Sequence, residues 1–193
     1  MLGLKLTTDP RWVDIAAKSY EEILTDHAWC EQKAATFGIS ILVKYSEFEN
    51  VLKNVTPVIA EEWGHFRKVL KELEKRGLKL GPQRNDEYVI ELLKLEKKGG
   101  SRKQSLTEKL LICAMIEARS CERFRLLSLH IQDQDLKEFY HEFMVSEAGH
   151  YTLFLELAKS IMPEDYVKNR WNEYLESEAH IMKQLELKSG RIH

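Results

Sequence analysis

The sequence predicts an all-α protein on three observations. Its 193 residues include only four prolines and nine glycines, so long stretches run without a helix breaker. Apolar residues recur at the i, i+3, i+4, i+7 spacing of a helix with one buried face. Four glutamates sit on those apolar stripes, and two of them open a Glu-x-x-His unit: Glu62-Trp63-Gly64-His65 and Glu147-Ala148-Gly149-His150.

The first long helix is expected from Asp9 or Trp12 to Phe37. Asp9-Pro10 offers a cap with proline in the first turn, Gly38 offers a stop, and Thr25 marks a place where the helix could break. Leu24, His27, Ala28, Glu31, Ala34, Ala35 and Gly38 share one face, with Glu31 in its middle. The second helix is expected from Ser46 to Arg76, closed by Gly77 and kinked or broken at Pro57, with Val55, Val58, Ile59, Glu62, His65, Phe66 and Val69 on one stripe. A short extra helix, Glu87 to Lys97, follows the Gly81-Pro82 turn and falls between the two halves. Gly99-Gly100-Ser101 begins a loop, and Ser105 or Thr107 can cap a third long helix from Leu106 to His130, with Leu110, Cys113, Ala114, Glu117, Cys121 and Phe124 inward. The fourth, Asp135 to Ser160, carries Tyr140, Phe143, Met144, Glu147, His150, Tyr151 and Phe154 and ends at Met162-Pro163. A last amphipathic helix, Glu164 to Leu187, packs outside the bundle.

The composition, 44% hydrophobic and 31% charged, suits one soluble domain over residues 1–193 and leaves little room for a second large one. A formal net charge of −2 removes a global attraction to nucleic acid or anionic membrane, while leaving a local basic face open. No run of about 18 apolar residues exists, and Met1 to Leu6 is too short for a signal peptide, so a cytoplasmic protein without a membrane partner is expected. Cys30, Cys113 and Cys121 lack Cys-x-x-Cys spacing and read as small buried apolar residues.

Each lone glutamate precedes its Glu-x-x-His by a similar distance: Glu31 by 31 residues and Glu117 by 30. Residues i and i+3 share a helix face, so each unit turns a carboxylate and an imidazole toward one point. Glu31, Glu62, His65, Glu117, Glu147 and His150 thus make the four-carboxylate, two-imidazole set of di-iron and di-manganese helical bundles. Buried carboxylates without a cation would be costly, and this oxygen-rich set favours iron or manganese over zinc or copper. Two iron ions are expected, with Glu62 and Glu147 bridging and Glu31 and Glu117 terminal beside His65 and His150. A paired ferrous site with open positions can reduce O2.

Neighbouring groups are weighed separately. Glu61 and Glu122 are out of phase with their stripes and are excluded as ligands. His27, one turn before Glu31, is either a core histidine or a group that orients a ligand. His130, His141, His180 and His193 lack ligand-like spacing. Arg119 and Arg123 flank Glu117, where one could pair with a carboxylate behind the ligands or reach a phosphate, and each reads by default as a surface salt bridge. Lys94, Lys97, Lys98, Arg102 and Lys103 cluster around Gly99-Gly100, where phosphate contact and simple solvation are both open.

Four stretches carry a family resemblance: Asp26-His27-Ala28-Trp29-Cys30-Glu31-Gln32-Lys33-Ala34-Ala35; Glu62-Trp63-Gly64-His65; Ile116-Glu117-Ala118-Arg119-Ser120-Cys121-Glu122-Arg123-Phe124; and Ser146-Glu147-Ala148-Gly149-His150-Tyr151. Together with Leu80-Gly81-Pro82 they cover most of the chain, which resembles the tRNA-(2-methylthio-N6-isopentenyladenosine) hydroxylases of the ferritin-like di-iron superfamily. The resemblance implies a ferritin-like four-helix bundle with extra helices between the two helix pairs and at the C-terminus. It further implies an O2-dependent monooxygenase that hydroxylates the isopentenyl side chain of a hypermodified adenosine beside the tRNA anticodon. The six residues above match the family's iron ligands. O2 as co-substrate, an external electron donor, a tRNA substrate and an unidentified reductase follow as expectations, in a monomer or small oligomer. The prenyl group has to enter the bundle from a splayed-out base, and the loop and extra helix between the halves are candidates for a basic rim. Trp29 and the ending Ser189-Gly190-Arg191-Ile192-His193 depart from the family pattern and bear on substrate scope.

Two other functions use the same features. Ferritin-like iron storage or detoxification would employ the same ligands, and a cage would elute far above a monomer or dimer. A non-catalytic helical binding module would hold no iron after anaerobic ferrous loading.

Overall fold

The computed structural model describes residues 2–185 and 191–192 and, among them, seven helices and no strand. The chain divides into two compact units, one formed by residues 11–85 with 191–192 and the other by residues 2–10 with 86–185.

In the unit of residues 11–85, α1 (Trp12–Ala16) leads into α2 (Tyr20–Lys44), which packs along α3 (Glu49–Lys75). The break between α1 and α2 falls at residues 17–19 and not near Thr25, because Ser19 takes an extended backbone and accepts a hydrogen bond from the Glu22 N–H. Ser19-Tyr20-Glu21-Glu22 carries the S-x-x-E signature of a helix start. Gly38 does not end α2; it lies in the helix interior, where a Cβ would come 2.7 Å from Ile59 Cγ1, so glycine there lets α3 approach. Nor does Pro57 break α3, which runs continuously with the proline ring exposed. Gly77, at φ +68°, ends α3: its N–H reaches Glu74 O at 2.9 Å and the Leu78 N–H reaches Leu73 O at 2.9 Å, the Schellman pattern. The chain after it returns along α2, where Thr25 Oγ1 accepts from the Gly81 N–H at 3.1 Å and the Trp29 indole N–H donates to Gly81 O at 2.9 Å.

The other unit is built on α5 (Arg102–His130) packed along α6 (Gln134–Ile161), with α4 (Glu87–Lys94) and α7 (Glu164–Gln184) against them. Asp86 caps α4 and Asp133 caps α6, each through a 3.0 Å bond from a backbone N–H. The third long helix starts earlier than Leu106, because Ser101 and Gln104 form a reciprocal capping box after the left-handed Gly99 and Gly100. The expected end of the last helix at Leu187 lies outside the described residues, as does His193.

Candidate metal centre

The unit of residues 11–85 brings three of the sequence-predicted ligands together. Glu31 on α2 and Glu62 on α3 are buried, and His65 is nearly so. His65 Nδ1 lies 3.5 Å from Glu31 Oε2 and 3.7 Å from Glu62 Oε2. One ligand atom from each of the three falls within 4.8 Å of the others. Burial, reinforced by the Glu62 charge, pushes the Glu31 carboxyl well above the usual carboxylate range. Burial alone would depress the His65 imidazole, but its bonds to Glu31 and Glu62 and their charges outweigh that and raise it to about 10. The protein without metal therefore holds protons among these groups, in the place a cation would take.

The second unit assembles the matching three. Glu117 on α5 and Glu147 and His150 on α6 are all buried. They too offer ligand atoms within 4.8 Å of one another, and His150 Nδ1 is 3.9 Å from Glu147 Oε2. Beside them the Cys121 thiol is pushed up to about 11 by burial and by the charges of Glu117 and Glu122. It stays protonated and donates to Met144 O at 3.3 Å, which suits a small core residue and not a thiolate ligand.

Each trio is two carboxylates and one imidazole, closely apposed and shielded from water by apolar neighbours such as Ala28 and Ala35 or Ala114 and Phe143. Hard oxygen donors with one imidazole fit a divalent metal of the iron or manganese type, and a bound cation would offset the burial and the Glu62 charge that drive Glu31 toward protonation. The clusters can hold metal.

His27 is fully buried, with Nε2 2.7 Å from Glu31 Oε1. Glu61 is exposed on the outer side of α3, with Oε1 3.8 Å from His65 Nε2. His130, His141 and His180 are exposed. Cys113 and Cys121 are buried and Cys30 is half-buried. In the basic loop, Lys94 pairs with Glu91 at 2.5 Å and Lys97 with Glu173 at 2.7 Å.

Arg119 and Arg123 correct the expectation of surface salt bridges, since both are buried. Arg119 donates to Glu178 Oε1 at 2.8 Å, to Thr8 Oγ1 at 3.1 Å and to Leu6 O at 2.9 Å, and it pairs with Glu122. Tyr88 donates to the same Glu178 oxygen at 3.3 Å. A second buried group centres on Glu108, which accepts from Arg170, Tyr174 and the Lys97 N–H. Sequence reading missed both groups because Glu178 lies 59 residues from Arg119, and Arg170 and Tyr174 lie 62 and 66 from Glu108; the available signal was charge at buried positions of α5, Glu108 and Arg119 among them.

The all-helical chain has the ferritin-like fold that the sequence predicts. A solved structure of Protein 43 with aldehyde deformylating oxygenase activity from Synechococcus matches it with a TM-score of 0.92 and 30% identity, covering 98% of this chain and 94% of that one. The chain belongs to the family described as tRNA-(MS[2]IO[6]A)-hydroxylase (MiaE), whose model matches residues 2–193. Among curated relatives, a tRNA 2-(methylsulfanyl)-N(6)-isopentenyladenosine(37) hydroxylase from Pseudomonas putida is 36% identical over 151 residues, which is 78% of this chain and 72% of that protein. The protein of the same name from Salmonella typhimurium is 27% identical, with 83% and 75% covered.

Proposed function

We propose that this chain is an O2-dependent di-iron monooxygenase that hydroxylates the isopentenyl side chain of the hypermodified adenosine next to the anticodon in tRNA. Family membership over residues 2–193 carries the substrate, and the two carboxylate and imidazole clusters support the metal chemistry. Glu31, Glu62, His65, Glu117, Glu147 and His150 would hold two iron ions. When bound, the iron pair supplies activation of O2, with electrons from a reductase outside this chain.

The protein's own residues set the conditions for that chemistry. His27 fixes one oxygen of Glu31 and leaves the other for metal. The apolar residues beside each cluster exclude water, which keeps the carboxylates dependent on the cation and protects an oxidising site from side reactions. Among the described residues no helix is long and apolar enough to cross a membrane, and a cytoplasmic site of action fits a tRNA substrate. Iron storage is not favoured, since the family and both curated relatives carry hydroxylase names.

Single-turnover oxidation tests the reading. Protein loaded anaerobically with ferrous iron, reduced chemically and exposed to O2 should add one oxygen to the prenylated nucleoside of tRNA, read by mass analysis after digestion. Unchanged nucleoside from protein of full iron content would overturn the assignment.

A further inference from the structure

The outward side of α3 combines two features that its role in presenting Glu62 and His65 does not require. Trp63, the residue after Glu62, is 50% exposed. It is nevertheless braced: its ring centroid lies 5.1 Å from Phe66, which lies 6.1 Å from Trp29, whose indole is tied to Gly81 O at 2.9 Å. Leaving half of an indole in water is unfavourable, and bracing it preorganises a flat apolar surface for a ligand. Four-residue steps from Trp63 reach Arg67, Lys71 and Lys75, all exposed, so the cations continue the ridge on which the indole sits.

The charge is local. Arg67 to Arg84 holds seven cations and two carboxylates, within a chain whose net charge is −2. Arg76 and Arg84 are engaged by Glu72 and Glu22, but Arg67 and Lys71 have no ion-pair partner among the described residues. The loop around Gly99-Gly100 has comparable composition, with Lys94 and Lys97 ion-paired and Lys98 and Lys103 exposed, but no exposed aromatic accompanies them. An aromatic platform beside unpaired cations is the recognition chemistry of single-stranded nucleic acid, where bases stack and phosphates meet the charges.

We infer that the α3 ridge from Trp63 to Lys75 docks the single-stranded loop of the tRNA anticodon arm, with the Trp63 indole stacking on a base and Arg67 and Lys71 contacting phosphates. This rests on the tRNA-hydroxylase reading and adds where the RNA is gripped. A ridge that starts one residue from Glu62 ties RNA docking to the helix that presents Glu62 and His65.

The experiment uses the iron-loaded full chain and a labelled tRNA carrying the prenylated adenosine, with affinity measured across a salt series. R67A/K71A should bind at least about ten-fold more weakly, with the slope of log affinity against log salt shallower by about two. W63A should lose about 5- to 100-fold with its salt slope unchanged, and W63F should recover most of that. Helicity and iron content verify that each variant is folded. Affinities within two-fold of the unaltered protein would overturn the inference. So would a loss produced by K98A/K103A instead, or a defect confined to turnover with a protein electron donor, which would mark the ridge as a reductase surface. Failure of the underlying reading looks different: the unaltered protein would then add no oxygen to the same tRNA.

Discussion

His27 Nε2 stands 2.7 Å from Glu31 Oε1, one helical turn away on α2, with both side chains buried. A carboxylate held at one oxygen by an imidazole N–H keeps the other oriented for metal, so His27 acts as a positioning residue for the proposed centre. His27→Ala should weaken iron binding about 10- to 100-fold, measured by equilibrium competition with a chelator, while His27→Gln, which keeps a donor, should recover part of it. Equal affinity in all three proteins would leave His27 as core packing alone.

The ligand set itself is tested by metal content. Glu117→Ala should lower the two-iron stoichiometry and abolish hydroxylation without loss of helical circular dichroism, since truncation at one buried carboxylate leaves the stripe of α5 apolar. Full iron content and turnover in this variant would remove Glu117 from the set.

Glu108 gives the protein an acid limit. Burial alone would raise its carboxyl, but bonds from Arg170, the Lys97 N–H and Tyr174 hold it below the usual carboxylate range. A folded-state value below the unfolded one means that Glu108 contributes stability above about pH 4, which disappears as the pH falls through the depressed value. Glu108→Gln should cost about 3–5 kcal/mol at neutral pH and flatten the acid side of the stability profile, read by urea unfolding from pH 3 to pH 7. A parallel profile in the variant would assign the acid limit elsewhere.

Glycines in the long helices should respond in opposite directions. Gly38→Ala drives a methyl into Ile59 and should destabilise by about 1–3 kcal/mol. Gly64 and Gly149, the third residues of the two Glu-x-x-His units, have open space where a Cβ would go. Alanine at either should stabilise by about 0.5–1 kcal/mol. Thermal unfolding of the three variants decides the signs.

The burial of the proposed ligands was legible in the sequence because helical phase places Glu31, Glu62, Glu117 and Glu147 among apolar residues, and the structure keeps each on its buried stripe. Helix boundaries were less so where two local signals competed. Gly38 resembles a stop by propensity, yet it is there for the approach of Ile59, a contact outside its own helix. Ser19 outcompeted Thr25 as the break because its hydroxyl caps Glu22, whereas Thr25 is buried and accepts from Gly81. Arg119 and Trp63 mark the remaining limit: whether a charge is buried or an indole exposed depends on Glu178 in one case and Phe66 in the other, and periodicity does not identify such partners.

Leu6 O and the Thr8 hydroxyl both accept from Arg119, and Thr8 in turn donates twice to Glu122. Leu6 and Thr8 thus solvate a guanidinium that water does not reach. Trimming through Thr8, or replacing that stretch with an affinity tag, would take two acceptors from a buried guanidinium two residues from Glu117 and leave it to Glu178 and Glu122 alone.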